Sequence, residues 1–281
     1  ISIKLKKLLN NISYKIIIGS ANFNKKYGFK KQKIKISDFN YFTNYLKKNG
    51  INQLDWSFDY SNENKLIEKF YSNGFLIDTK ISKNNFYQDI NYFSNSHINK
   101  IKFNSVYIRS PEELNMSDFA YIYKTLIFLK EKKQIKKIGY SIYNINKLHK
   151  KKLPMPDTIQ VPINLFDQRL LKSNYLDLCK KNNVEVCARS IFLQGKLLNP
   201  YFTKKYTKFL RYNQLSPIQA TKSFFNLIYR KNVFDKVIIG IENLNNLKEF
   251  FETRLLNLKY DYFKNLSTLN SNIIDPRLWK Y

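Results

Sequence analysis

Residues 105–140 read SVYIRSPEELNMSDFAYIYKTLIFLKEKKQIKKIGY, and this stretch contains the repeating unit of the fold. A short apolar run, Ser105–Ile108, precedes a longer segment, Met116–Lys132, and a second apolar run, Lys137–Tyr140, follows it. Within the long segment the apolar residues recur at steps of three and four, as one face of a helix requires. The stretch therefore predicts strand, helix and strand, and a crossover of this kind makes the two strands parallel.

The same alternation of short apolar runs and helical segments continues on both sides of this stretch. The predicted strands are Lys15–Ile18, Gln53–Trp56, Phe75–Thr79, Ser105–Ile108, Lys137–Tyr140, Thr158–Pro162, Val184–Ala188 and Lys236–Ile239. The predicted helices include Ser37–Lys48, Asn62–Tyr71, Met116–Lys132, Leu165–Lys181, Ser216–Tyr229 and Leu244–Leu255, with Ser37 and Ser216 as N-caps. Eight such units predict an α/β fold in which a parallel sheet closes into a (β/α)8 TIM barrel.

Residues 1–281 are expected to form a single domain, with residues 1–14 as an N-terminal extension and residues 261–281 as a C-terminal tail. The alternative architecture is an open, doubly wound sheet. When that fold binds a dinucleotide it normally begins with a glycine-rich turn. Neither G-x-G-x-x-G nor a P-loop motif occurs in this sequence. The barrel is therefore the preferred prediction.

The formal net charge of +28 favours association with polyanions. The excess is almost entirely lysine, whereas arginine, which binds phosphates and bases through two parallel hydrogen bonds, is scarce. The abundance of Asn, Ile, Lys, Tyr and Phe is also the composition that an AT-rich coding sequence produces. We interpret the lysine clusters as solvated surface, and we expect weak, non-specific anion binding but no specific nucleic-acid site.

The two cysteines and two histidines provide neither a disulfide framework nor the ligand spacing of a metal site. Cys179 lies in a predicted helix and Cys187 in a predicted strand, so both are expected to be buried thiols. No apolar run approaches the ~20 residues of a membrane span, and the first residues lack a secretory cleavage signal. These features predict no metal, no membrane contact and a cytoplasmic location.

Three successive predicted strands end in charged residues, namely Asp55, Lys80 and Arg109. In a (β/α)8 barrel the C-terminal ends of the strands surround the site. An ionised group at the end of an apolar strand is costly unless it is paired or lines a cleft. Tyr60, in the loop after Asp55, can fold back over the same opening. The pattern predicts a shared pocket, and the alternative interpretation is an ordinary salt-bridge network at the barrel rim.

Several segments, taken in order along the chain, carry a resemblance to one family. Asp55–Glu63 reads DWSFDYSNE, Asn104–Pro111 reads NSVYIRSP and Ala188–Leu198 reads ARSIFLQGKLL. Further segments are Asp78–Lys80, Gly139–Ser141, Gln160–Asn164 and Val237–Gly240. Together they resemble the motifs of the aldo/keto reductase family over nearly the whole chain, including D-T-A-x-x-Y-x-N-E for the first. The second departs from the family pattern D-x-x-x-x-H-x-P, because Asn104 and Arg109 replace Asp and His.

The resemblance implies metal-free carbonyl reduction by a nicotinamide hydride, acting on a small carbonyl or sugar substrate. Tyr60 would be the general acid, Lys80 would favour its phenolate form and Asp55 would hold Lys80 in place. Arg109 can only donate hydrogen bonds and cannot act as a base. It would stabilise an oxyanion or hold an anionic substrate group. The alternative is a barrel that binds cofactor without efficient turnover and acts as a sensor or partner subunit.

The resemblance also places the cofactor, NADP or NAD, along the later strands. Ser141, Gln160 and Asn164 would contact the nicotinamide carboxamide, and Arg189 or Ser190 would stack on the ring and line the pyrophosphate. The segment from Gly240 to Glu249, with Glu242, would surround the adenosine. Relatives that prefer NADP usually have Lys or Arg there, whereas an acid and amides occupy this segment, so NAD is an open alternative. Lys236 and Lys248 could compensate, and the sequence leaves the preference open.

Overall fold

All eight predicted strands form, and they pair in parallel around a closed barrel in which the last strand pairs with the first. A computed structural model describes residues 15–21, 23, 39–56, 64–94, 100–241 and 243–279. The strands are β1 (Lys15–Gly19), β2 (Gln53–Asp55), β3 (Leu76–Ile81), β4 (Phe103–Arg109), β5 (Ile135–Ser141), β6 (Thr158–Pro162), β7 (Glu185–Arg189) and β8 (Lys236–Gly240). The predicted (β/α)8 architecture is confirmed.

Helices alternate with these strands, and none in the described part of the chain is long and apolar enough to cross a membrane. They are α1 (Phe39–Lys48), α2 (Asn64–Ser72), α3 (Phe86–Ser94), α4 (Met116–Glu131), α5 (Ile145–Lys150), α6 (Tyr175–Lys181), α7 (Lys204–Tyr212), α8 (Pro217–Arg230), α9 (Leu244–Glu252), α10 (Asp261–Lys264) and α11 (Ser271–Ile274). Ser216 caps α8 as predicted, because its hydroxyl accepts from the Gln219 amide while the Gln219 side chain accepts from the Ser216 amide. The predicted N-cap Ser37 lies outside the described residues.

One helix prediction was wrong in its first half. Residues 165–181 do not form a single helix, because α6 begins only at Tyr175. The Asn164 side chain accepts hydrogen bonds from the amides of Phe166 and Asp167, and such a side-chain bond offers the backbone an alternative to the helix. The helices α3, α5 and α7 were not predicted, and each is short, at 9, 6 and 9 residues.

The interior of the barrel is filled by both apolar and polar side chains. Ile17, Cys187 and Ile238 form a small apolar cluster, separate from the main core between strands and helices. Tyr107 fills the adjacent space. Its ring lies directly against Gly139, where the Cβ of any other residue would overlap it. Cys179 is also buried, and both thiols are free, as predicted.

Towards the N-terminal ends of the strands, the barrel contains charged groups. Lys236 Nζ lies 3.0 Å from Glu185 Oε2 and 3.2 Å from Gln53 Oε1. Gln53 in turn donates to the fully buried Asp78. Lys236 therefore points into this network, at the end of β8 opposite to Gly240.

Candidate active site

The main cavity lies at the C-terminal ends of the strands, where a (β/α)8 barrel places its site. Strands β1 to β5, β7 and β8 each contribute a residue to its wall, namely Gly19, Asp55, Lys80, Arg109, Ser141, Arg189 and Gly240. The loop after β7 and the first turns of α9 complete the wall. The cavity therefore spans the barrel mouth and reaches the rim beside α9.

A buried ion pair lies at the inner end of the cavity. Lys80 Nζ lies 2.5 Å from Asp55 Oδ1 and 2.6 Å from Oδ2. The pairing register sets this contact, because Asp55 is opposite Asp78 and Lys80 follows two residues later on the same face of β3. Gln160 Nε2 also donates to Asp55 Oδ1, at 2.7 Å. Three hydrogen bonds thus hold the Asp55 carboxylate, which fixes the ammonium at the cavity wall.

A second buried carboxylate, that of Asp78, lies on β3 opposite Asp55 and two residues before Lys80. Asp78 Oδ2 accepts from Gln53 Nε2 at 2.5 Å, and Oδ1 accepts from Asn104 Nδ2 at 2.8 Å. Burial raises the pKa of Asp78 to about 6, and the nearby charge of Asp55 adds to this, while both hydrogen bonds oppose it. Asp78 does not line the cavity, so it supports the floor of the site rather than contacting a ligand.

Arg109, at the end of β4, reaches the same cavity as Lys80 and is partly exposed. Its register partner on β5 is Ser141, which is buried and also lines the cavity. The chain turns sharply directly after Arg109, because Ser110 adopts the left-handed conformation with φ 48°. Arg109 therefore presents a permanent positive charge to the cavity that the Lys80–Asp55 pair also lines.

Arg189, at the end of β7, is held flat against the cavity wall. One guanidinium nitrogen donates to the Ile142 carbonyl at 2.8 Å and the other to Ser190 Oγ at 3.2 Å. The guanidinium also lies over the ring of Tyr143, 4.2 Å from its centroid, while Arg277 lies 3.9 Å from that centroid. Within the described part of the chain no carboxylate pairs with Arg189, and its buried Nε has no hydrogen-bond partner. Such a guanidinium is suited to an anionic ligand.

The loop after β7 is strained where it lines the cavity. Ser190, Leu193 and Gln194 all have positive φ angles, between 50° and 60°, and Gly195 has φ 90°. Non-glycine residues in this conformation carry a cost and concentrate at functional sites. The motif in Ala188–Leu198 marked this loop in the sequence. It did not single out Gln194 or Gly195, since backbone strain leaves no composition signal.

At the outer end, β8 and α9 form the rim of the cavity. Gly240 has no heavy atom within 4 Å of where a Cβ would lie, so its backbone faces open space. Asn246, Glu249 and Phe250 of α9 line the cavity beside it. Asn246 belongs to the predicted segment Gly240–Glu249, whereas Tyr143 was not predicted as a site residue, because nothing in its local sequence distinguishes it from the many other tyrosines.

The structure brings most of the predicted site residues together. Those that line the cavity are Asp55, Lys80, Arg109, Ser141, Arg189, Ser190, Gly240 and Glu249. Gln160 and Asn164 do not line it. Gln160 is fully buried and bonded to Asp55, with its Oε1 atom left without a donor. Asn164 is fully buried and donates to the Ser190 carbonyl at 3.2 Å. Tyr60 and Glu242 lie outside the described residues.

Comparisons with known proteins identify similar sequences and folds. The sequence model of the aldo/keto reductase family matches residues 15–269. A search of curated proteins found no match. Among solved structures, the holo form of the aldo-keto reductase AKR11C1 from Bacillus halodurans is similar at a TM-score of 0.68 and 13% identity, covering 90% of this chain and 92% of that one.

Two further solved structures are similar, one of a protein bound to NADPH and one of a glycerol dehydrogenase. A mutant of Gox0644 in complex with NADPH has a TM-score of 0.63 and 16% identity, with 95% and 94% of the two chains covered. The glycerol dehydrogenase AKR11B4 from Gluconobacter oxydans has a TM-score of 0.61 and 15% identity, with 89% of each chain covered. At these identities the likeness establishes the fold alone.

Proposed function

The chain belongs to the aldo/keto reductase family of NAD(P)-dependent oxidoreductases, and from that premise we propose that it interconverts a small carbonyl compound and the corresponding alcohol by hydride transfer. The substrate would be an aldehyde, a ketone or a keto-sugar. The observation that carries the proposal is the buried Lys80–Asp55 pair on the wall of the cavity that also contains Arg109. Burying an ion pair is costly, and here the ammonium is held where a reacting group can meet it.

The cavity fits a nicotinamide dinucleotide in three respects. It reaches from the barrel mouth to α9, it contains the Arg189 guanidinium without a described carboxylate partner, and the buried Gln160 Oε1 lacks a donor. Buried polar atoms normally find partners, and an unpaired guanidinium suits a phosphate. When bound, the cofactor supplies or accepts the hydride. The residues of this chain bind it, orient it and handle the proton.

We assign the holding residues along the length of the cavity. Ser141 serves the nicotinamide end. Gln160 and Asn164 support that end from behind the cavity wall, by holding the Asp55 carboxylate and the Ser190 carbonyl. Arg189 and Ser190 serve the pyrophosphate. Gly240, Glu242 and Glu249 serve the adenosine end.

Tyr60 is our proposed general acid for the substrate oxygen. A free tyrosine, with a pKa of about 10, is a weak acid near neutrality. A neighbouring ammonium favours the phenolate form and so eases proton release, and Asp55 keeps the Lys80 ammonium in place. General acid catalysis of this kind contributes about 10²–10⁴-fold.

Arg109 gives the site a second permanent cation. It can donate to a developing oxyanion or to an anionic substrate group, but it cannot accept a proton. Because a second cation further favours the phenolate of Tyr60, Arg109 assists alcohol oxidation and opposes proton donation during reduction.

The second candidate function is a barrel that binds cofactor without efficient turnover, and Arg109 at the position of the family's histidine favours it. Titrating the protein with NADH and NADPH while following protein fluorescence tests both candidates, because both require binding. A panel of aldehydes and keto-sugars then separates them. An oxidoreductase turns over at least one of these and loses turnover in Tyr60→Phe, whereas a binding protein turns over none.

A further inference from the structure

The solvent-facing side of α4 carries large apolar side chains. A surface helix of a globular protein normally has an apolar face towards the core and a polar face towards solvent. The core side of α4 follows this rule, because it buries Phe119, Ile122, Leu126 and Leu129. The opposite side exposes four large apolar residues by 38 to 57%, namely Met116, Tyr121, Ile127 and Phe128. Helix α4 is therefore apolar on both sides.

The neighbouring helix α3 extends this surface. Tyr87 on α3 is 75% exposed, and the ring of Phe86 contacts the rings of both Tyr87 and Tyr121, with centroid separations of 5.7 and 5.0 Å. The outer side of α7 shows the usual pattern, since its exposed residues are Lys204, Lys205, Lys208, Arg211 and Tyr212. Isolated exposed apolar residues are normal, whereas a contiguous apolar surface is typical of a protein interface.

Two opposite charges lie on the same outer face of α4. Lys124 and Glu131 are both exposed, and neither forms a salt bridge with a charged residue in the described part of the chain. Lys130 on the same helix differs, because its Nζ lies 2.6 Å from Asp157 Oδ2. One cation and one anion of this face therefore remain available to a partner.

The spacing of these two charges makes the face complementary to a second copy of itself. Lys124 and Glu131 are seven residues apart, which is close to two helical turns, and Ile127 and Phe128 lie midway between them. Two α4 helices can pack antiparallel about a twofold axis at this midpoint. Lys124 of each copy then lies opposite Glu131 of the other, and Ile127 meets Phe128. A twofold interface requires this kind of self-complementarity.

We propose that the outer face of α4 is the contact surface of a homodimer of this chain. The net charge of +28 opposes association of two copies. Salt largely screens charges more than about 8 Å apart at physiological ionic strength, whereas the apolar contact and the two charge pairs act at short range. An acidic partner would place like charge against Glu131, whereas a second copy places Lys124 there. The interface is small, so the dimer should be weak and reversible.

Sedimentation equilibrium of the full chain, at ~0.15 M salt to screen the long-range repulsion, measures the association directly. Phe128→Gln removes the apolar centre of the interface. Lys124→Glu and Glu131→Lys each place like charges opposite one another, and the double variant restores opposite charges. Lys208→Glu is the matched control, because it changes the net charge as Lys124→Glu does, at an exposed residue of α7. Circular dichroism checks that each variant folds.

We expect wild type to dimerise with a dissociation constant of about 10 µM, at the weak end of specific interfaces. Phe128→Gln should weaken the dimer about thirtyfold, as loss of a central anchor does. Each single charge reversal should weaken it about fivefold, since two symmetric pairs are lost. The double variant should return to within about threefold of wild type, and Lys208→Glu should dimerise as wild type does.

Three results would overturn the proposal. They are a wild type that stays monomeric up to ~200 µM, well above the expected dissociation constant, an unchanged dimer in Phe128→Gln, or a double variant as weak as the two single ones. A monomer would leave this face to a different partner or to solvent. Cofactor binding tests the proposed function separately, so that either proposal can fail without the other.

Discussion

Lys80 Nζ lies within 2.6 Å of both carboxylate oxygens of Asp55, and the two side chains are 7% and 11% exposed. Neighbouring parallel strands supply the two residues, so the barrel itself fixes their separation. An apolar pair of the same shape is often as stable as a buried ion pair, so we propose that this pair has a function beyond stability. Its position on the cavity wall supports a role in the chemistry of the site.

Replacing Lys80 by Met should reduce turnover about 10²–10⁴-fold, since the cation that assists the acid is lost. The variant should also lose about 3–5 kcal/mol of unfolding free energy, because the buried Asp55 is left without its ion-pair partner. Urea denaturation and steady-state kinetics measure the two effects. Adding Asp55→Asn to Lys80→Met should recover much of the stability and none of the turnover. Recovery of both would assign the pair to stability alone.

Replacing Arg109 by His should favour carbonyl reduction over alcohol oxidation. Histidine removes a permanent positive charge from the cavity wall, so the phenol of the proposed acid Tyr60 should keep its proton to higher pH. For carbonyl reduction, kcat/KM should fall at high pH as the acid loses its proton. In Arg109→His this fall should occur at higher pH than in wild type. A profile identical to that of wild type, with both directions unchanged, would show that Arg109 does not act on the proton.

Arg189→Gln should weaken binding of NADH and NADPH alike, by about ten- to a hundredfold, because charge-assisted hydrogen bonds contribute about 1.5–3 kcal/mol. The dependence of binding on salt should become weaker at the same time. Arg277→Gln is the control, since Arg277 also lies over Tyr143 but does not line the cavity. Equal losses in both variants would mean that stacking on Tyr143, rather than contact with phosphate, explains the effect.

Asp78 should give the protein a stability that falls as pH rises from about 4 to about 6. Burial raises its pKa from 3.8 to about 6 in the folded state, so in this window the folded state binds more protons than the unfolded state. The effect is on the order of 3 kcal/mol. Asp78→Asn should remove this slope from urea unfolding measured across the window. The exposed Asp177→Asn should leave it in place, and a slope that persists in Asp78→Asn would contradict the assignment.

The sequence predicted those parts of the site that follow from the type of residue at the end of each strand. Charged residues at the ends of apolar strands predicted that Asp55 and Lys80 share a pocket, because strand ends in a barrel converge, and the family resemblance implied their contact. Gln160 was harder to place. The motif predicts that Gln160 lies on the sixth strand. Whether its side-chain amide contacts a ligand or Asp55 depends on distances across the barrel that only the coordinates show.

The parts that the sequence did not predict depend on backbone geometry and long-range packing. The left-handed conformations of Ser190 and Gln194 have no compositional signature. Tyr143 lines the cavity, and Arg189 and Arg277, which are far from it in sequence, lie over its ring. The start of α6 was misplaced because Asn164 uses its side chain to hold a turn.

The most direct test of the central claim follows a labelled hydride. The protein is incubated with NADH or NADPH deuterated at the transferable position, together with aldehydes and keto-sugars, and the alcohol products are analysed by mass spectrometry. Wild type should transfer deuterium to the carbonyl carbon of at least one substrate, and Tyr60→Phe should bind cofactor yet transfer little. Absence of transfer by wild type with both cofactors, or equal transfer by Tyr60→Phe, would contradict the account.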